Sequence, residues 1–144
     1  MATTTETAPA ATATAPKLTG CSPSLTVNDL QKSIDYYTRV LGFQVQEKWE
    51  MEGVLRGVGL LAGNVFLMLG QDDWQKGRDR KKGEGFRLYF DTSENVDAFA
   101  KAIKARGGTL EYEPRDESWG ARTFAVTDPD GFKLTFGFEL SKPK

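Results

Sequence analysis

Four side chains that alternate along two strand-like runs are placed to do chemistry together. In "GFRLYF" Arg87 and Tyr89 stand two positions apart, and in "FKLTFGF" Lys133 and Thr135 do the same. A guanidinium and an ammonium side by side can orient a carboxylate or enolate oxygen, with a phenol beside them as proton donor. The plainer alternative is that Arg87 and Lys133 each pair with a Glu or Asp across a sheet. Residue types alone leave both readings open. Histidine is absent from all 144 residues. The commonest metal ligand and usual general base near neutral pH is therefore missing, and any catalysis must run on Tyr, Arg, Lys or a carboxylate.

Strands must hold those side chains. In "VTDPDGFKLTFGF", Asp128-Pro129-Asp130-Gly131 is a turn, with Pro129 presetting φ at its first corner. Phe132, Leu134, Phe136 and Phe138 then share one face, and Lys133, Thr135 and Gly137 share the other. In "SPSLTV" Pro23, Leu25 and Val27 oppose Ser22, Ser24 and Thr26; in "GFRLYF" Phe86, Leu88 and Phe90 oppose Gly85, Arg87 and Tyr89. The apolar set must face a helix. "VNDLQKSIDYYTRVLGF" predicts one, capped at Asn28 with Gln31 completing a capping box, striped by Leu30, Ile34, Tyr37 and Leu41, and stopped by Gly42. "TSENVDAFAKAIKARGG" predicts another, capped at Thr92 or Ser93, striped by Val96, Phe99, Ala100 and Ile103, and stopped by Gly107-Gly108.

The two helices repeat. Leu30 and Val96, Ile34 and Ala100, Tyr37 and Ile103, and Gly42 and Gly108 are each 66 positions apart. Each helix follows one strand and precedes three, so each half reads βαβββ. The expected organisation is a tail over 1–17 and one domain over 18–140, with module 1 at 18–71, a charged connector at 72–84 and module 2 at 85–138. The fold class is α+β, with paired modules forming curved sheets around a cleft. The polar strand faces, Thr135 among them, look into that cleft.

Composition narrows the function. With 19 basic and 20 acidic side chains, net charge −1 gives no electrostatic case for nucleic acid or an anionic membrane. No run approaches the ~20 apolar residues of a membrane span. "MATTTETAPAATATAP" has no Lys or Arg and no apolar stretch, unlike a signal peptide, and reads as a disordered tail. One cysteine, Cys21, fits a reducing cytoplasmic compartment and is expected to be a buried structural thiol. The connector "QDDWQKGRDRKKGEG" reads as a solvated loop, with a phosphate-binding patch as the alternative.

"LTVNDLQKSIDYYTRVLGF", "GFRLYFDTSENVDAFAKAIKARGG" and "SWGARTFAVTDPDGFKLTF" resemble the vicinal oxygen chelate superfamily of glyoxalases, bleomycin-resistance proteins and extradiol dioxygenases. The resemblance runs from about residue 20 to 139. It implies His, Glu or Gln ligands for a divalent metal in the cleft. At the matching positions this chain has Ser22, Gly85, Thr135 and Leu67, and none of the four is a credible ligand. The resemblance is thus to the metal-free bleomycin-resistance type. It implies a binding protein that uses no cofactor, sequesters a small organic drug or metabolite, and forms a homodimer. The clefts then form within one chain or across two. The alternative is a lyase, isomerase or epimerase using Tyr, Arg or Lys; a partner-binding module with an empty cleft is a third reading.

Ser24, Trp49, Leu67, Arg87, Tyr89, Trp119, Lys133 and Thr135 are the expected ligand-binding set. Trp49 shares a strand face with Val45 and Met51, and its indole is either a stacking surface or core. Trp119 shapes a pocket rim or is structural, and Trp74 covers the cleft mouth or a subunit contact. Leu67 and Leu69 are expected to give the cleft an apolar wall.

Overall fold

The computed structural model describes residues 14–140. Residues 1–13 of the expected tail lie outside the described residues, and residues 14–17 carry no regular structure. Strand β1 (Ser24–Val27) leads into helix α1 (Leu30–Asp35), which continues as a π-helical segment, Tyr36–Val40. Strands β2 (Gln44–Met51), β3 (Val54–Ala62) and β4 (Val65–Gln71) complete the first module. The second repeats it with β5 (Arg87–Asp91), α2 (Val96–Ala105), β6 (Tyr112–Asp116), β7 (Ala121–Thr127) and β8 (Lys133–Glu139). The sheet orders are β1-β4-β3-β2 and β5-β8-β7-β6, and each module's first strand runs parallel to its last. This is an α+β fold of paired βαβββ modules.

Alternation decides which face each strand buries. Leu25 and Val27 on β1, Leu134 and Phe136 on β8, and both helix stripes are buried in one apolar cluster that spans the two modules. The opposite faces carry the polar sets and are not covered by either helix. Trp49 on one and Tyr89 on the other are 40% and 46% exposed, so each face is partly open to solvent, although Thr123 and Thr135 on the second are buried.

Helix ends differ from expectation in informative ways. The cap of α1 is Asp29, whose carboxylate accepts from the Lys32 N–H, not Asn28. The cap of α2 is Asn95, which accepts from the Ala98 N–H, while Thr92 receives the Glu94 N–H in a tight turn ahead of it. Asx side chains nearer the helix win, by one residue in α1 and by two or three in α2, because their oxygens reach the third N–H. Asp29 and Asn95 preserve the spacing of 66. The stop does not: the glycine of left-handed φ is Gly42 in the first module but Gly107 in the second, so α1 carries one extra residue. The π-helical segment absorbs it through the Leu41 N–H bond to the Tyr36 carbonyl. Gly108 serves packing instead; a Cβ there would stand 2.6 Å from Val40 Cγ1 of the first module.

The DPDG turn joins the modules. The Tyr37 hydroxyl donates to Asp128 at 2.8 Å, and Asp128 also accepts the N–H groups of Asp130 and Phe132. Asp130 in turn accepts from the Asn28 N–H and the Ser33 hydroxyl. Asp128 is 4% exposed, so every partner replaces water. Burial pushes its carboxyl above the ordinary value, and the Tyr37 hydroxyl and the two backbone donors oppose that rise.

Removing the hydroxyl with Tyr37→Phe is expected to cost about 1–3 kcal/mol near pH 7. Loss of a donor raises the folded pKa of Asp128 further, and a raised carboxyl penalises the folded state once pH climbs through that value. The deficit should therefore shrink as the medium is acidified toward about pH 4. Urea unfolding at both pH values checks this; an equal deficit at both would show that Asp128 is not the group being served.

Candidate functional site

Two glycines open the uncovered face of the first sheet. Gly57 and Gly59 alternate on β3 and pair with Gly70 and Met68 of β4. A Cβ on Gly59 would stand 2.7 Å from Phe66 Cε1 and 3.3 Å from Trp49 Cη2; one on Gly57 would meet Trp49 Cε3 at 3.2 Å. The Phe66 and Trp49 rings thus lie against bare backbone, an arrangement that any side chain on those residues would block. Ser24 and Thr26 continue the face along β1, opposite Met68 and Gly70.

Register corrects two expectations. Trp49 does not share a face with Val45. The β2–β3 pairing shifts between Val45 and Glu47 and again between Trp49 and Glu50. Trp49 therefore stands opposite Gly57 on the open face, whereas Val45 stands opposite buried Leu60 on the helix side. Leu67 and Leu69 do not line the cleft either. Leu69 pairs with Leu25 and Leu67 with Leu60, so both point under α1, and Leu67 is fully buried. Phe66 and Met68 hold the apolar places on the open face. The glycine alternation in "VLRGVGLL" was the available signal for them.

On the second sheet Tyr89 and Thr135 are neighbours, as are Arg87 and Lys133. The Tyr89 ring crosses Gly137, where a Cβ would stand 2.8 Å from Cζ. Arg87 donates to the Thr135 hydroxyl at 2.6 Å and reaches Glu111 at 3.2 Å; Lys133 lies 4.0 Å from the same carboxylate. The plainer alternative thus holds in part, because both cations meet a glutamate across the sheet. They share it, so two positive charges face one negative. Glu111, which sequence reading did not single out, fixes this patch from just ahead of β6. Beyond it Tyr112 and Thr123 join hydroxyls at 2.9 Å, and Thr123 donates to Glu117. Trp119 is 64% exposed and shares with Tyr89 a shallow depression of about 240 Å³.

The four expected metal positions do not assemble a site. Ser22 precedes β1, Gly85 sits in a turn at φ 71°, Thr135 is engaged by Arg87, and Leu67 faces the core. Among the described residues no three His, Cys, Asp or Glu side chains come together to hold a metal ion. This donor set does not fit a divalent metal.

Two further residues depart from expectation. Cys21, ahead of β1, is exposed rather than buried. The connector is more ordered than a solvated loop: buried Asp72 receives Lys82 at 2.7 Å and Arg80 at 2.6 Å. The Lys82 ammonium, then the Trp74 N–H, hold the Asp72 carboxyl at about 2. Trp74 lies under Arg78 and Lys82 rather than on an open face, with the guanidinium 4.3 Å from its ring centroid. No helix is long and apolar enough to cross a membrane, among the described residues.

The model of the Glyoxalase/Bleomycin resistance protein/Dioxygenase superfamily matches residues 18–136. A putative lactoylglutathione lyase of Brassica oleracea var. gemmifera is 28% identical over 74% of this chain, which spans only 39% of that protein. A probable lactoylglutathione lyase of Vibrio parahaemolyticus is 33% identical, covering 76% of this chain and 83% of the relative. TioX from Micromonospora sp. ML1 has a similar fold, with TM-score 0.70 and 22% identity over 85% of this chain and 99% of its own.

Gly59→Ala forces the Phe66 ring off β3 and crowds Trp49. Overpacking of this kind costs about 1–3 kcal/mol and should shift indole emission. Thermal unfolding with fluorescence detection checks it; unchanged stability and emission would mean that the rings do not rest on the glycines.

Proposed function

Because the chain belongs to the Glyoxalase/Bleomycin resistance protein/Dioxygenase superfamily, we propose that it is a metal-independent small-molecule-binding protein that sequesters an organic drug or metabolite. The observation that carries this reading is what stands where a metal-ligand set would be. Aromatic rings laid on glycines occupy one open face; two cations sharing one carboxylate occupy the other. Rings of this kind supply stacking area and a spare positive charge selects an oxygen-rich or anionic group. Ser24, Trp49, Arg87, Tyr89, Trp119, Lys133 and Thr135 remain the proposed contacts, with Phe66 and Met68 in place of Leu67.

Both faces stay partly exposed in one chain, so the cleft is completed by a second copy in a homodimer. Glu47 pairs with Gly59 on the open side of the first sheet, and its charge complements Arg87 and Lys133 on the second. The single cysteine favours the cytoplasm, and residues 18–140 act as one domain.

A second reading is favoured by the names of the relatives and by Tyr89, which neighbours Arg87 and Thr135 with its side chain half-exposed. In it the chain is a lyase or isomerase, the cations hold an enolate oxygen and the Tyr89 phenol supplies a proton.

The test uses 8-anilinonaphthalene-1-sulfonate, an aromatic anion, as probe. Saturable binding with quenched indole emission is expected, weakened about tenfold by Arg87→Ala and by Trp49→Ala. Unchanged affinity in both variants would remove the open faces from the site. Turnover of lactoylglutathione that Tyr89→Phe abolishes without loss of binding would replace sequestration by the second reading.

A further inference from the structure

An aromatic hollow lies between the modules, on the reverse side of the second sheet. Phe90 and Phe136 project from the reverse side of the strands that carry Tyr89 and Thr135. Their rings stack at 5.2 Å, Phe99 meets Phe136 edge-on at 5.0 Å, and Phe43 of the first module reaches Phe90 at 6.3 Å. Between these rings a cavity of about 360 Å³ opens to solvent. The β3–β4 turn, with Gly63 and Asn64, walls one side, and the loop from Asp91 to Glu94 walls the other. Its volume falls in the range of roughly 300–1,000 Å³ usual for ligand pockets.

The charge at the mouth has one sign. Asp91 and Glu94 both border the cavity, and among the described residues neither carboxylate has an ion-pair partner. Aromatic faces attract a cation through their quadrupoles, and two carboxylates above them add to that attraction. An anion would meet repulsion at the mouth. A bare metal ion would find only two carboxylates over an apolar floor, too few donors to hold it.

We propose that this crevice between the modules is a binding site for a small organic ammonium ion with an apolar body. The body lies among Phe43, Phe90, Phe99 and Phe136, and the ammonium meets Asp91 and Glu94. Asp91 also borders the depression of Tyr89 and Trp119, so the two hollows share that carboxylate, but the aromatic floor of this one lies on the reverse side of the sheet.

Phenethylamine is the probe, with 3-phenylpropionate as its anionic counterpart of similar shape, titrated into the full chain and followed by backbone amide NMR. Saturable shifts are expected around Gly63, Asn64 and Glu94 for the amine and none for the carboxylate. Glu94→Gln alone, and Asp91→Asn with Glu94→Gln, replace exposed carboxylates and leave the fold intact; the double variant should weaken the amine by about tenfold. Arg87→Ala should leave it unchanged. Equal binding of both probes, no loss in either carboxylate variant, or no saturation with the amine would each overturn the proposal.

Discussion

One buried carboxylate holds the molecule together. Asp128 ends β7 and begins the turn into β8, where it accepts two backbone N–H groups and so fixes the shape of that turn. It also accepts the Tyr37 hydroxyl from the helix of the other module. A carboxylate this deep is costly unless its lone pairs are filled, so the turn, the helix and the seam between modules form as one unit. Asp130 extends the seam to Ser33 and the Asn28 N–H. Gly83 completes it from the connector, where a Cβ would stand 2.6 Å from the Phe132 nitrogen. Two sequence motifs a hundred residues apart are therefore two halves of one contact.

That seam joins the modules through their helix-covered sides, and this choice creates the site. With the apolar faces used up, the polar faces of both sheets are left partly open to solvent. Each is then furnished by the same device: a glycine on a strand gives up its side chain so that a neighbouring ring can lie on the backbone. Gly59 does this for Phe66, and Gly137 for Tyr89. What differs is charge. The first face sets rings beside Glu47, and the second sets a ring beside Arg87 and Lys133 around Glu111.

Most of the architecture was legible because alternation and the repeated helix stripe are strong periodic signals. The burial of Leu25, Val27, Leu134 and Phe136, and the exposure of Arg87 and Tyr89, follow from it directly. The failures have specific causes. Leu67 and Leu69 were misassigned because "NVFLML" is apolar on both faces, so only pairing with Leu25 and Leu60 decides which side is which. Trp49 was placed with Val45 because period-two counting cannot see the β-bulge between Val45 and Glu47. Gly42 was matched to Gly108 rather than to Gly107 because nothing local announces that the first module's helix carries an extra residue. Glu111 was passed over because its meaning lies in two cations on other strands.

Recognition through rings and a shared carboxylate, in place of metal coordination, is the claim from which the functional reading follows. Native mass spectrometry of protein purified from its source tests it most directly, since one spectrum reports subunit number, retained organic mass and bound metal. The account predicts two chains carrying an organic ligand and no divalent ion. A stoichiometric transition-metal ion, retained by the folded protein and required for an activity that chelators abolish, would contradict it.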